Sequence, residues 1–148
     1  MMELILIIVI LGIFATVAMT RTDSGLSTIR EQIAIDQITN DIDLAKSMAF
    51  GKHETISIVY STNNESYTIY SGVGNDRQPI SDFPNSDNGV ISLDNSTMRD
   101  VDLQSATFLN NSPELQFLPL GDPVSGGQIT LNTKTISIEP VTGKWTIN

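Results

Sequence analysis

Few side chains of this sequence could carry out catalytic chemistry. The chain of 148 residues has no cysteine and a single histidine, His53, which lies between Lys52 and Glu54. Thiol nucleophiles, disulfides and cysteine-ligated metal sites are therefore excluded. No Gly-x-Ser-x-Gly motif is present, and a Ser-His-Asp triad would depend on that one histidine. We expect no enzymatic activity, no cofactor and no assigned metal ligand.

Acidic side chains dominate the charge of the chain. There are 17 Asp and Glu against 8 Lys and Arg, which gives a formal charge of −9. A field of that sign repels phosphate groups, so we expect no binding to nucleic acid. Six aspartates are spread between Asp76 and Asp102, and residues 85–89 read Asn-Ser-Asp-Asn-Gly. Calcium needs ligands that converge closely, so a solvated acidic loop and a calcium site both stay open.

Glu3 stands directly before a long apolar segment. Residues 4–19 are sixteen residues of which only Thr16 is polar. As a helix they would span about 24 Å, against about 30 Å for the hydrocarbon core of a bilayer. No Lys or Arg precedes them, as a signal peptide would require, and a core helix apolar on every side is unusual in a small domain. We predict a transmembrane half-helix over residues 1–21.

The apolar pattern changes after this segment. From Leu26 to Ala49 apolar residues recur every three or four positions, which predicts an amphipathic helix with polar residues, including Glu31 and Asp41, on its other faces. Gly51 is a stop signal. We predict one long helix, amphipathic over residues 22–51. The expected apolar face consists of Leu26, Ile29, Ile33, Ile35, Ile38, Ile42, Ala45 and Ala49.

The remainder of the chain alternates with period two. β-branched and aromatic residues separated by Asn-, Gly- and Pro-containing turns predict seven or eight short strands. We therefore expect an α+β fold, in which a small antiparallel β domain (residues 52–148) packs on the amphipathic half of the helix. The predicted strands cover residues 55–60, 66–70, 90–93, 105–109, 114–117, 128–131, 135–138 and 144–147.

The N-terminus carries a family resemblance. Residues 3–15, Glu-Leu-Ile-Leu-Ile-Ile-Val-Ile-Leu-Gly-Ile-Phe-Ala, resemble the first helix of the type IV pilin and type II secretion pseudopilin superfamily. The resemblance implies that Glu3 pairs with the positively charged N-terminus of a neighbouring subunit. Gly12 either permits close approach or local unwinding of helices or is merely tolerated.

The C-terminal part is similar to the GspH/FimT class of minor pilins and pseudopilins. The matching motif runs from Leu115 to Pro123 and continues through residues 126–144. In that class a strand ends Phe-x-Pro-x-Gly-x-Pro and two further strands close with a Gly-basic turn. The matching residues here are Phe117, Pro119, Gly121, Pro123, Gly143 and Lys144.

Two departures from the family pattern matter. The basic leader and the Phe-Thr pair of family precursors are missing, so Glu3 stands two positions early. We expect a start assigned too late rather than an unprocessed protein. The Gly-Arg-x-Arg motif of DNA-uptake members reads Gly-Lys-Trp-Thr at residues 143–146, so its second basic residue is lost.

The resemblance implies a structural role. We expect a minor pilin-like subunit that takes part in initiation or assembly of a type II secretion pseudopilus or a type IV pilus, and so supports protein secretion or pilus biogenesis. It would reside in the bacterial inner membrane with its β domain in the periplasm, and its N-terminus would be methylated. The implied partners are other pilin subunits, the inner-membrane assembly platform and a prepilin peptidase. The alternatives are a DNA-uptake subunit and a membrane-tethered domain that does not polymerise.

Overall fold

One long helix dominates the molecule. The computed structural model describes the backbone of residues 2–148, and the side chains of these residues other than 2 and 19–24. Helix α1 covers Met2–Lys52, 51 residues, which corresponds to roughly 75 Å. It ends past Gly51 because His53 adopts a left-handed backbone (φ 54°), the conformation that usually closes a helix with glycine. His53 is exposed.

Nine strands follow α1 in the described chain, against the seven or eight predicted. The unpredicted strand is Gln78–Pro79, which lies in a polar stretch without alternating apolar residues. The predicted strand at residues 105–109 ends at Thr107, because a 3-10 turn begins at Leu109 and Asn110 is left-handed (φ 56°). The strands are Ile56–Ser61 (β1), Ser66–Ser71 (β2), Gln78–Pro79 (β3), Val90–Ser92 (β4), Ser105–Thr107 (β5), Glu114–Phe117 (β6), Gly127–Thr130 (β7), Thr135–Ile138 (β8) and Trp145–Ile147 (β9).

The strands form two antiparallel sheets. The first has the order β3-β2-β1-β6, with β4 also paired to β2, and the second has the order β5-β7-β8-β9. The β1–β2 hairpin places Tyr60 opposite Tyr67. Its alternate residues Ile56, Ile58 and Tyr60 are buried in the core, as period-two patterning requires. The described chain is thus α+β, with a long N-terminal helix and antiparallel sheets.

The β domain covers only the second half of α1, where the helix packs mainly against β1 and β6. Ile35, Ile38 and Ile42 are fully buried there. The predicted face is wrong at its N-terminal end, since Ile29 is 58% exposed and Ile33 38%. The prediction that Glu31 and Asp41 lie on the other faces of the helix is also wrong, because the helix–sheet interface buries both carboxylates.

The first half of α1 lies outside this packing. The described side chains of residues 3–18 are exposed, and Leu6, Leu11 and Phe14 expose 62%, 63% and 68% of their surface. Where side chains are described, we find no helical stretch with the length and apolarity needed to cross a membrane. The predicted transmembrane half-helix is therefore not confirmed.

Candidate functional site: the helix and its junctions with the β domain

The two predicted assembly residues lie on the exposed half of α1. Glu3 occupies the first turn of the helix, where the helix dipole favours a carboxylate. A Cβ added to Gly12 would have no described atom within 4 Å. The hydroxyl of Thr16 donates to the Gly12 carbonyl oxygen at 3.1 Å and to that of Ile13 at 2.8 Å. Subunit pairing by Glu3 and Gly12 stays a prediction.

The C-terminal motif forms a turn that folds back on β6. Phe117 is fully buried at the end of β6, and Pro123 returns to pair with it as an isolated antiparallel bridge. Between them the Leu118 N–H donates to the Asp122 carbonyl oxygen at 2.8 Å. Pro119 is half-buried within the turn. Phe117 and Pro123 therefore close a compact turn, which is a structural role.

The two motif glycines lie where other parts of the chain approach closely. Gly121 is left-handed (φ 82°), and a Cβ there would come within 3.4 Å of the Lys46 carbonyl oxygen on α1. Gly143 is also left-handed (φ 64°), and its Cβ would lie 3.4 Å from the Phe117 ring and from Pro123. Both positions favour glycine because other residues are strained at such φ values.

The β8–β9 turn and the first residue of β9 contact the last part of α1. The Lys46 ammonium donates to the Thr142 carbonyl oxygen at 2.6 Å, and the Trp145 indole N–H donates to Asp43 at 3.1 Å. Lys144 itself is exposed. The structure therefore brings Phe117, Gly121, Pro123 and Gly143 together at the C-terminal end of α1, far from Glu3 and Gly12.

A second junction lies where the β domain begins to cover α1, at the neck formed by Arg30, Glu31 and Gln32. The Glu31 carboxylate accepts hydrogen bonds from the Thr133 backbone N–H (2.7 Å), the Thr133 hydroxyl (2.7 Å) and the Lys134 backbone N–H (3.1 Å). Burial by itself raises the pKa of Glu31. The bonds from Thr133 and Lys134 outweigh that effect, and the net pKa is lowered. Glu31 is therefore held as a charged anchor.

The neighbours of Glu31 contact the same end of the β domain. The Arg30 guanidinium lies 2.7 Å from the carboxylate of Asp100, and the Lys134 ammonium donates to the Gln32 side-chain oxygen at 2.8 Å. The Arg30–Asp100 pair is solvent-accessible, and pairs of that kind contribute about 0–1 kcal/mol. Three consecutive helix residues thus contact two separate loops, the one that contains Asp100 and the β7–β8 turn. Of the three helix residues, Glu31 is the one that is buried.

Asp41 is the other carboxylate in the helix–sheet interface. Its Oδ2 accepts a bond of 2.5 Å from the Tyr67 hydroxyl and one of 3.0 Å from the Gln37 amide. Burial raises the pKa of Asp41, and these two bonds offset the rise only in part. Burial first, and the charge of Asp41 second, raise the pKa of both Tyr60 and Tyr67. The Tyr60 hydroxyl is buried without a partner among the described residues.

Sequence reasoning missed both buried carboxylates, although a positional signal exists. Glu31 lies four residues before Ile35, and Asp41 lies three residues after Ile38 and four before Ala45. Those spacings put both residues on the buried face of α1. Their partners come from distant parts of the chain, so no local pattern reveals them.

Acidic residues also line a cleft near the β1–β2 turn. The cleft has a volume of about 440 Å³ and includes Glu65, Asp94, Asp100 and Asp102. Burial and the charges of Asp102 and Asp94 raise the pKa of Glu65. Across the residues with described side chains, we find no group of three His, Cys, Asp or Glu arranged to hold a metal ion.

Known proteins give one informative comparison. No family model matches the chain, and no curated protein matches it either. A solved structure does: the type IV minor pilin FimU of Pseudomonas aeruginosa strain PAO1, with a TM-score of 0.54 and 17% sequence identity. The match covers 79% of this chain and 87% of that one. At that identity the likeness concerns the fold, and the chain has a type IV pilin-like fold.

Proposed function

We propose that this chain is a minor pilin-like structural subunit that takes part in initiation and assembly of a type IV pilus or a type II secretion pseudopilus. The observation that carries the proposal is the first half of α1, where residues 3–18 are exposed and largely apolar. Apolar surface of that extent is unfavourable in water and indicates an interaction surface. The FimU-like fold supports the same role.

In this proposal the exposed half of α1 has two successive environments. It first anchors the chain in the bacterial inner membrane, with the β domain in the periplasm, and then packs against the helices of other subunits in a filament. The assembly platform and a prepilin peptidase are the further partners, and the subunit has no enzymatic activity. Glu3 would then need a cationic partner, because an unpaired carboxylate in an apolar environment costs about 2.5–3.5 kcal/mol.

The neck and the C-terminal turns attach the β domain rigidly to α1, as this role requires. Glu31 fixes α1 to the β7–β8 turn at one end of the interface, and Lys46 fixes it to the β8–β9 turn at the other. The two helix residues are 15 positions apart, which is about 22 Å along the axis. Two attachments at that separation hold the β domain at one angle to the helix, so helix packing would also set where the β domain lies.

The test is an electron-microscopy count of sheared surface filaments. We expect a strain lacking this protein to lose filaments and the intact gene to restore them. We expect Glu3→Ala to restore none, because the carboxylate that recruits the subunit is missing. Glu54→Ala is the matched control, since Glu54 is an exposed carboxylate that, among the described side chains, accepts a bond only from Ser71.

The same strains separate the two machines. Unchanged filaments together with lost protein secretion would favour the pseudopilus over the pilus. Unchanged filaments with unchanged secretion would contradict the proposed function. Full complementation by Glu3→Ala would contradict the assigned role of that residue.

A further inference from the structure

One line of exposed residues runs along the second half of α1, on the side of the helix that is turned away from the β domain. The spacing between successive members alternates between three and four residues, which is the spacing by which one helix packs lengthwise against another. All members are exposed, whereas Ile35, Ile38 and Ile42 on the opposite side are buried. We call this line the outer stripe, and it consists of Leu26, Ile29, Ile33, Asp36, Asn40, Asp43, Ser47 and Phe50.

The outer stripe begins with apolar residues. Leu26, Ile29 and Ile33 are all exposed. They follow the polar sequence Thr-Arg-Thr-Asp-Ser of residues 20–24, so they extend the apolar surface of α1 beyond the part that the membrane would hold, to the level of the neck. A contiguous apolar surface of this kind marks an interaction site, and its spacing fits the side-chain ridge of another helix.

Two carboxylates follow on the same stripe. Asp36 accepts a hydrogen bond from the Gln32 amide, and Asp43 accepts one from the Trp145 indole. Both donors are uncharged, and neither carboxylate has an ion-pair partner in the part of the chain that the structure describes. A helix packed against the outer stripe would therefore meet two uncompensated negative charges directly after an apolar stretch.

These charges argue against a second copy of this chain as the occupant. In the proposed filament all subunits are inserted by the same end of α1, so neighbouring helices run parallel. A parallel copy in register sets Asp36 against Asp36 and Asp43 against Asp43, and like charges placed opposite each other are unfavourable. A copy displaced by seven residues sets Asp43 against Asp36 and Asp36 against Ile29. Displacement by further heptads supplies no cation either, because the positions that continue the stripe towards the N-terminus are Ile5, Ile8, Gly12, Ala15, Met19 and Thr22.

We propose that the outer stripe binds a parallel helix of a different subunit, which is apolar opposite Ile29 and Ile33 and carries Lys or Arg opposite Asp36 and Asp43. This inference rests on the proposed function, which supplies the parallel direction, and it adds the chemistry of the partner. The apolar part provides affinity and the charged part provides selectivity, as a few polar positions do in other paired helices. The β domain lies on the opposite side of α1 and leaves the approach open.

A charge-reversed copy of this chain serves as the probe for such a partner. Asp36→Lys together with Asp43→Lys supplies a cation opposite each carboxylate when the two helices pair in register. The chain has no cysteine, so Asn40→Cys in both proteins reports contact between the two carboxylate positions. Facing Cα atoms of helices packed about 8–10 Å apart are about 4–6 Å from each other, a separation that a disulfide spans. The two full chains, one with a tag that shifts its mobility, are mixed in a non-ionic detergent and mildly oxidised.

We expect the mixture to give about tenfold more disulfide-linked heterodimer than either protein alone gives homodimer, because like charges face each other in both homodimers. Asp76→Lys with Asp82→Lys, also carrying Asn40→Cys, is the matched control, since it makes the same change of charge at two exposed aspartates outside α1. Mixed with the chain that keeps the native outer stripe, it should give no more dimer than that chain alone.

Equal dimer from the two mixtures would mean that net charge alone brings the chains together, and it would overturn the proposal. Absence of heterodimer from folded proteins with the stripe reversed would overturn it as well. No filament enters this experiment, so a failure here leaves the proposed function to the filament count.

Discussion

Two buried carboxylates on the same face of α1 have opposite relations to their surroundings. Glu31 accepts three hydrogen bonds, two of them from backbone N–H groups, and its pKa is lowered. Asp41 accepts one bond from a hydroxyl and one from an amide, and its pKa is raised. The balance between burial, which raises the pKa of a carboxylate, and hydrogen-bond donors, which lower it, therefore decides whether the carboxylate stabilises this interface as an anion.

The difference indicates two distinct roles along the helix. At Glu31 the charge is compensated, so the carboxylate fixes the β7–β8 turn to α1. At Asp41 the charge is compensated only in part, and the buried hydroxyl of Tyr60 has no partner in the described chain. A buried ionic group can specify an arrangement without stabilising it. We therefore expect loss of the first group to weaken the fold and neutralisation of the second to cost little.

Removing Glu31 gives the largest expected effect. Glu31→Ala leaves the backbone N–H groups of Thr133 and Lys134 without their acceptor, and we expect the free energy of unfolding to fall by about 2–4 kcal/mol. Urea unfolding of the full chain in detergent, followed by circular dichroism, measures this. Asp36→Ala is the control, because Asp36 is an exposed helix carboxylate that accepts a hydrogen bond only from Gln32 where side chains are described. Equal losses in both variants would contradict a special role of Glu31.

The response to pH separates the two carboxylates. A lowered pKa means that Glu31 stabilises the fold above about pH 4.5 and loses this effect as the pH falls. A raised pKa means the reverse for Asp41, whose contribution is most favourable below about pH 3.8 and is lost as the pH rises through its folded value. As the pH rises from 3.5 to about 7, Glu31→Gln should become progressively less stable than the wild type and Asp41→Asn progressively more stable.

Unfolding curves of the three proteins at several pH values provide the measurement. Glu31→Gln and Asp41→Asn each remove the negative charge and keep the size of the side chain. If both differences from the wild type moved in the same direction with pH, the contrast between the two sites would be wrong.

Substitution of Tyr67 tests how much its hydrogen bond compensates the burial of the Asp41 carboxylate. Tyr67→Phe removes the shorter of the two bonds to the Asp41 carboxylate, and we expect a loss of about 1–3 kcal/mol at neutral pH, the usual range for a hydrogen bond to a charged group. The loss should shrink in acid, where Asp41 is neutral. Tyr70→Phe, in the same strand, removes a hydroxyl that has no hydrogen bond in the described chain and should change little. A loss that stays constant with pH would argue against the Tyr67–Asp41 bond.

Local patterns were enough to predict most of the fold. Alternation of apolar residues marked eight of the nine strands, and the period of three to four marked α1. β3 was missed because Gln78 and Pro79 have no periodic signal and pair with β2 only through tertiary context. The extent of the buried helix face was misjudged at Ile29 and Ile33, since the sequence does not say where along α1 the β domain begins.

The candidate site was less accessible to sequence reasoning. The C-terminal motif residues Phe117, Gly121 and Pro123 were identified, and the structure gives them a packing role. The neck was missed because the Glu31 bonds join residues 102 positions apart in the chain. A buried carboxylate depends on hydrogen-bond donors that only the folded chain brings close to it. The periodicity of the surrounding sequence does not reveal those donors.

Tyr60 gives the smallest expected effect and the closest test of the Asp41 region. Its hydroxyl and that of Ser57 are buried without described partners, so removing them takes away an uncompensated polar group. We expect Tyr60→Phe and Ser57→Ala to leave the free energy of unfolding unchanged or to raise it by up to about 1 kcal/mol. Urea unfolding at pH 7 measures both. If Tyr60→Phe instead lost more than about 1 kcal/mol, the hydroxyl would have a partner, and Asp41, whose charge acts on Tyr60, would then belong to a compensated network like that of Glu31.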